Sequence, residues 1–154
     1  MTPLESPIEW KFAAAVRDHL GKSVLVLPPG DFKEFLVRVP DALEEANVVG
    51  APQVSILDDY RTDFLFLTEV FGGFCMLAVE CDGHDFHEKT KWQAARDKRR
   101  DRRLLRVGIR TMRFAGSEVH RDPTGCAQQV FDYLMGEYTH GVDLYRKVEM
   151  GVSP

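Results

Sequence analysis

No stretch of about 18 consecutive apolar residues occurs in the chain, so no membrane-spanning helix is expected. The N-terminus lacks a basic segment followed by an apolar run, so no secretory leader is expected either. Cysteine is scarce: Cys75, Cys81 and Cys126 are an odd number without a disulfide-framework spacing. Cys75 and Cys81 sit in an apolar run, as small buried thiols do, and a reducing cytoplasm is the expected compartment. Cys75, Cys81, His84 and His87 match no common zinc spacing, and strand alternation would not aim them together. Internal repeats and low-complexity segments are absent. So is an overall basic excess: the net charge is −4, which taken alone argues against a nucleic-acid partner.

The distribution of charge argues the other way. Residues 89–106 hold nine of the twenty Lys and Arg against only Asp97 and Asp101, a local +7 that leaves −11 on the rest. Such asymmetry fits one anion-facing surface on an acidic body, or else a solvated helix face balancing nearby acids. The remaining composition, 44% hydrophobic and 29% charged over 154 residues, is that of a globular domain with a real core.

Ser6-Pro7-Ile8-Glu9 predicts a helix start with Ser6 as N-cap, Pro7 at N1 and Glu9 completing a capping box, and Gly21 closes that helix. Residues 22–50 read as an elaboration. They hold a short strand at Val24 to Leu27 and two helical stretches, Asp31 to Val39 and Asp41 to Ala46, separated by Pro40. Gln53 to Leu57 and Tyr60 to Thr68 predict two strands joined at Asp58-Asp59, and Phe74 to Asp82 a third, buried on both faces. Thr90 to Val107 is a helix ended by Gly108, Ile109 to Phe114 a fourth strand, and Asp122-Pro123 opens a last helix to about Tyr138. The expected fold is α/β: a mixed central sheet of about four strands flanked by helices, with the 90–107 helix as a crossover. Residues 1–140 would form one domain and 141–154 a C-terminal tail.

Two carboxylates two apart on a strand, Glu80 and Asp82, point to one face. Asp63 interrupts the apolar row of Leu65 and Leu67, where an ionised acid is costly unless paired or metal-bound. Hairpin pairing can bring it beside Glu80, and two carboxylates sharing a site call for a cation. Oxygen-only ligands suit Mg²⁺ or Mn²⁺. In the basic helix, Gln93, Asp97, Arg100 and Leu104 form one stripe, with Leu104 facing the sheet and Asp97–Arg100 placed for an ion pair. Gln93, one turn in, could reach the acids. Trp92 reads as a packing residue before a base-stacking one.

These stretches resemble the PD-(D/E)XK nuclease superfamily, whose core runs helix, three strands, helix, strand. More narrowly they resemble DUF559 proteins and very-short-patch-repair endonucleases. The matching segments are S-P-I-E at Ser6 to Glu9, Q-V-S-I-L-D-D-Y-R-T-D-F at Gln53 to Phe64 and V-E-C-D-G at Val79 to Gly83. Q-A-A-R-D-K-R-R-D-R-R-L at Gln93 to Leu104 and G-I-R-T-M-R-F at Gly108 to Phe114 complete the set. The resemblance implies a restriction-endonuclease-like core. It implies that Asp63 is the first metal-binding acid, Glu80 the acid of the (D/E)XK element, Glu9 the first-helix acid and His87 a catalytic histidine. Asp82 stands where that element usually has lysine, as in the E-x-D-G form of DUF559-like chains. Each has a plainer alternative: Glu9 as a capping acid only, Asp63 as a turn residue, Glu80 and Asp82 as surface charges, His87 as a loop histidine.

The expected function is therefore metal-dependent hydrolysis of phosphodiester bonds in DNA, with RNA also open. Asp63, Glu80 and Asp82 would hold the metal, and Lys91, Gln93, Arg96, Arg99, Arg100 and Arg103 would meet the nucleic acid. The alternatives are a nuclease fold that binds nucleic acid or a protein partner without cutting, its chemistry lost with the lysine, and an α/β interaction protein whose basic helix is merely solvated.

Overall fold

The computed structural model describes residue 4 and residues 6–70, 73–82 and 90–151, with side chains except those of 138–143. Helix α1 (Pro7–Ala15) starts as its sequence dictates: the Ser6 side chain accepts from the Glu9 amide and Pro7 occupies the first turn. It continues through a π turn (Val16–Leu20) and a 3₁₀ turn (Gly21–Ser23). Then follow β1 (Val24–Val26), β2 (Gly30–Asp31), α2 (Phe32–Leu43), β3 (Val48–Leu57), β4 (Tyr60–Val70), β5 (Gly73–Asp82), α3 (Lys91–Arg106), β6 (Ile109–Ala115), α4 (Gly116–Arg121) and α5 (Pro123–Glu149).

The mixed sheet runs β1-β3-β4-β5-β6, with β2 also on β3. β3, β4 and β5 are antiparallel neighbours, whereas β5 and β6 are parallel, so α3 is the crossover that joins them. Alternation along β5 divides the core. Leu77, Val79 and Cys81 pack with Phe12 of α1 and Val130 and Leu134 of α5, and Ala78 packs with Val39 of α2 and Leu104 of α3. Three aromatic rings, Phe12, Phe64 and Phe66, fill the α1 side, with the first two 4.9 Å apart.

Four expectations change. The sheet has six strands among the described residues because residues 22–50 add β1 and β2 and the start of β3. Pro40 does not divide α2. It sits near the helix end on the exposed side, where its missing N–H removes one bond, while Phe35, Val39 and Ala42 keep one face buried. The last helix runs eleven residues beyond Tyr138, to Glu149, because no proline interrupts 139–149. Only the part of β5 from Leu77 to Cys81 is buried, and Phe74 is exposed.

Helix α3 carries the capping box Thr90–Gln93 and closes at Gly108, whose φ of 79° suits glycine. Leu104 is its one buried residue. Leu104→Ala is therefore expected to destabilise the fold by about 2–4 kcal/mol and to loosen α3 first. Hydrogen exchange checks this: α3 amides should lose protection in the variant before those of β4 and β5.

Candidate active site

The acids meet at the end of the sheet where β4 begins and β5 ends. The register that pairs Phe64 with Val79 sets Asp63 opposite Glu80 on its next step. The two carboxyls do not bond to each other. Each bonds to the other's strand: the Cys81 amide donates to Asp63 Oδ2 at 2.8 Å, and the Asp63 amide donates to the Glu80 carboxylate. Asp82, two residues on, is close enough to act on both charges.

Asp63 and Glu80 differ in their remaining neighbours. Asp63 is bonded to Glu9, which is buried although it also closes the α1 capping box through Oε2 on the Ser6 amide at 2.9 Å. Glu9 Oε1 accepts from Gln53 Nε2 at 3.3 Å. Gln53 holds φ at 50° in the middle of β3, a left-handed conformation that a side chain strains to adopt. Burial, then the Glu9 hydrogen bond, pushes the Asp63 carboxyl up to about 7.

Glu80 is buried on the α3 side. It accepts from the Tyr60 hydroxyl and lies beside Arg113 in the β5–β6 register. Burial pushes its carboxyl up to about 7 although Arg100 and Arg113 pull it down. Arg113 is itself held under α3 by Asp97 at 3.2 Å and Asp101 at 2.7 Å, and Asp97 also holds Arg100 at 3.3 Å. Burial and the surrounding acids, Asp63 first, raise the Cys81 thiol, so it is an inert packing group.

Of the residues singled out by sequence, the structure gathers Glu9, Asp63, Glu80 and Asp82 at one strand end. His87 and His84 lie outside the described residues. Gln93 turns away from the acids: its Oε1 accepts from the Thr90 amide at 3.0 Å, as the N3 side chain of a capping box does. Arg96, Arg99, Arg100 and Arg103 line a groove of about 430 Å³ with Asp59 and Tyr60, and exposed Lys91 starts the helix. Arg103 is paired with Asp59 at 3.1 Å. Trp92 is 64% exposed, so it is no packing residue.

Sequence reasoning passed over Gln53, Tyr60 and Arg113. For Arg113 the available signal was a basic residue on the strand that follows a helix with acids at 97 and 101. Tyr60 and Gln53 carried none, because their contacts depend on the placing of α3 and α1 over the sheet.

The donor set is all oxygen, which fits a hard divalent cation. Burial raises both carboxyls, and a divalent cation between them would favour their ionised forms. Among the described residues no group of three His, Cys, Asp or Glu side chains is placed as ligands of one metal ion, although the acids lie near one another at the strand end. Among the described residues, too, no helix is long and apolar enough to cross a membrane.

A search of curated proteins finds no match to the chain. A family model, REase_MTES_1575, which describes a restriction-endonuclease-like family, matches residues 35–134. That span runs from α2 to α5 and includes the whole of β3–β6, Asp63, Glu80, Asp82 and the arginine groove. Sheet topology, the acids at the strand end and the family match agree, and the chain belongs to this restriction-endonuclease-like family.

Proposed function

We propose that the protein is a metal-dependent endonuclease of the DUF559 and very-short-patch-repair type, acting on DNA through a single nuclease domain over residues 1–140. The observation that carries this reading is the juxtaposition of Asp63 and Glu80, both pushed up to about 7, on neighbouring strands beside the arginine groove. Asp63 and Glu80 would hold Mg²⁺ or Mn²⁺, with Asp82 and Glu9 completing the oxygen set. The cation, when bound, supplies Lewis-acid charge to the phosphoryl oxygens and to a water.

The chain's own residues do the rest. Glu9 and Gln53 fix one side of Asp63. Tyr60 holds Glu80 against turning outward, and Arg113 balances part of its charge. Arginines of α3 place phosphates alongside the acids. With Asp82 where an ammonium is usual, proton transfer falls to His87, whose imidazole exchanges a proton near neutral pH.

Single-turnover cleavage of supercoiled plasmid tests the reading. The native protein should cut with Mg²⁺ or Mn²⁺ and not with EDTA. Glu80→Gln should abolish cutting, and His87→Ala should slow it by ~10²-fold or more with DNA affinity nearly intact. Full activity in His87→Ala would remove that histidine from the chemistry. Salt-sensitive binding without any cutting by the native protein would instead establish a binding-only member of the fold.

A further inference from the structure

Among the described residues, the indole of Trp92 belongs to neither core cluster. It stands in the first turn of α3, 64% exposed, with the Arg96 guanidinium carbon 5.7 Å from its ring centroid. Leaving so large an apolar group in water forgoes the stabilisation that burial would bring. Residues 92, 96, 99, 100 and 103 repeat at helical spacing, so the indole opens the same stripe that carries the four groove arginines. From 92 to 103 the stripe is about 16 Å long.

The groove is built rather than incidental. The Arg100 guanidinium carbon is 4.3 Å from the Tyr60 ring centroid, and its buried Nε has no hydrogen-bond partner among the described residues. The Thr90–Gln93 capping box orders the backbone that bears Trp92. The four guanidinium groups that line the groove carry forked donors suited to phosphate oxygens. An exposed indole continuing the same line calls for a flat apolar face. A duplex offers phosphates but keeps its base faces stacked inside. An unpaired strand offers both, in the combination by which proteins hold single strands.

We propose that Trp92 and the α3 groove bind a single-stranded stretch of DNA, with Arg96, Arg99, Arg100 and Arg103 on successive phosphates and Trp92 stacked on one unpaired base. This rests on the nuclease reading and narrows it: the substrate presents unpaired nucleotides beside the acids, as a flap, gap, bubble or strand end does. At 3.4 Å per stacked nucleotide, the stripe spans about five nucleotides.

Binding in EDTA tests the proposal without any cleavage. Fluorescence anisotropy would compare a labelled 12-nucleotide oligothymidine with a 12-base-pair duplex, for the native protein, Trp92→Leu, Trp92→Phe and Arg96→Gln/Arg99→Gln. The native protein should prefer the single strand by ~10-fold or more, with quenching of tryptophan emission. Trp92→Leu should weaken the single strand by ~5- to 100-fold and leave the duplex unchanged, and Trp92→Phe should restore part of the loss. The double arginine variant should weaken both ligands and flatten their salt dependence. Trp92 is exposed and belongs to neither core cluster among the described residues, so these variants should melt as the native protein does. Equal affinity for strand and duplex, or no effect of Trp92→Leu, overturns the proposal and leaves the endonuclease reading in place. Absence of binding to either ligand overturns both.

Discussion

Asp63→Asn is expected to make the protein more stable at pH 8 in EDTA while abolishing cleavage. The Asp63 carboxyl is raised to about 7, first by burial and then by Glu9, from an ordinary value near 4. A raised acid contributes stability that is present below its unfolded value and is lost as pH rises through its folded value. At pH 8 the ionised side chain therefore opposes folding. Asparagine removes that charge without removing the bonds, because its carbonyl can accept from the Cys81 amide and its NH₂ can donate to Glu9. The expected gain is about 2 kcal/mol, or about 4–8 °C in melting temperature at this chain length. The gain should shrink as pH falls through the folded value, to roughly a third of its size at pH 5, and should vanish only below about pH 4, where the unfolded carboxyl is protonated as well. Cleavage should fall on the order of 10³-fold, since charge stabilisation worth several kcal/mol goes with the cation. Thermal melts of both proteins at the two pH values decide the matter. A variant less stable than native at pH 8 would mean that the ionised Asp63 is well accommodated.

Cation affinity is expected to depend steeply on pH, for the same reason. Asp63 and Glu80 both hold protons below about 7, and a divalent ion must displace them. Each displaced proton makes the apparent affinity rise about tenfold per pH unit, so about 100-fold is expected between pH 5 and 6, with a plateau above pH 8. Calorimetry of Mn²⁺ binding in two buffers of different ionisation enthalpy would count the protons released. Close to two are expected at pH 5.5 and none at pH 8.5. Affinity independent of pH would separate the cation from these two carboxyls.

Local chemistry was legible in the sequence, and layer-to-layer chemistry was not. Ser6-Pro7-x-Glu9, Asp122-Pro123 and Gly108 each set a helix end through neighbours within four residues, and all three ends stand where expected. The Asp58-Asp59 turn fixed the β3–β4 hairpin, and the next strand's opposing register placed Asp63 near Glu80. Pro40 misled because the penalty of one lost bond is small beside the burial of Phe35, Val39 and Ala42. Glu9 had two readings, cap or site acid, and the structure gives it both bonds at once. The Arg100–Tyr60 contact and the pairing of Arg113 with Asp97 and Asp101 depend on how α3 crosses the sheet, which no spacing within one segment encodes. Trp92 was read as packing because most tryptophans are, whereas a helix with one buried residue has no place for it.

The most direct test of the site is a crystal structure of the native protein grown with Mn²⁺ at pH 8, read by anomalous scattering. The expected result is a peak about 2 Å from carboxylate oxygens of both Asp63 and Glu80, with Asp82 or Glu9 in the same shell and the Cys81 and Tyr60 bonds released or lengthened. Saturating Mn²⁺ with no peak at these acids, and with Asp63 still on the Cys81 amide and Glu80 still on the Tyr60 hydroxyl, would contradict it.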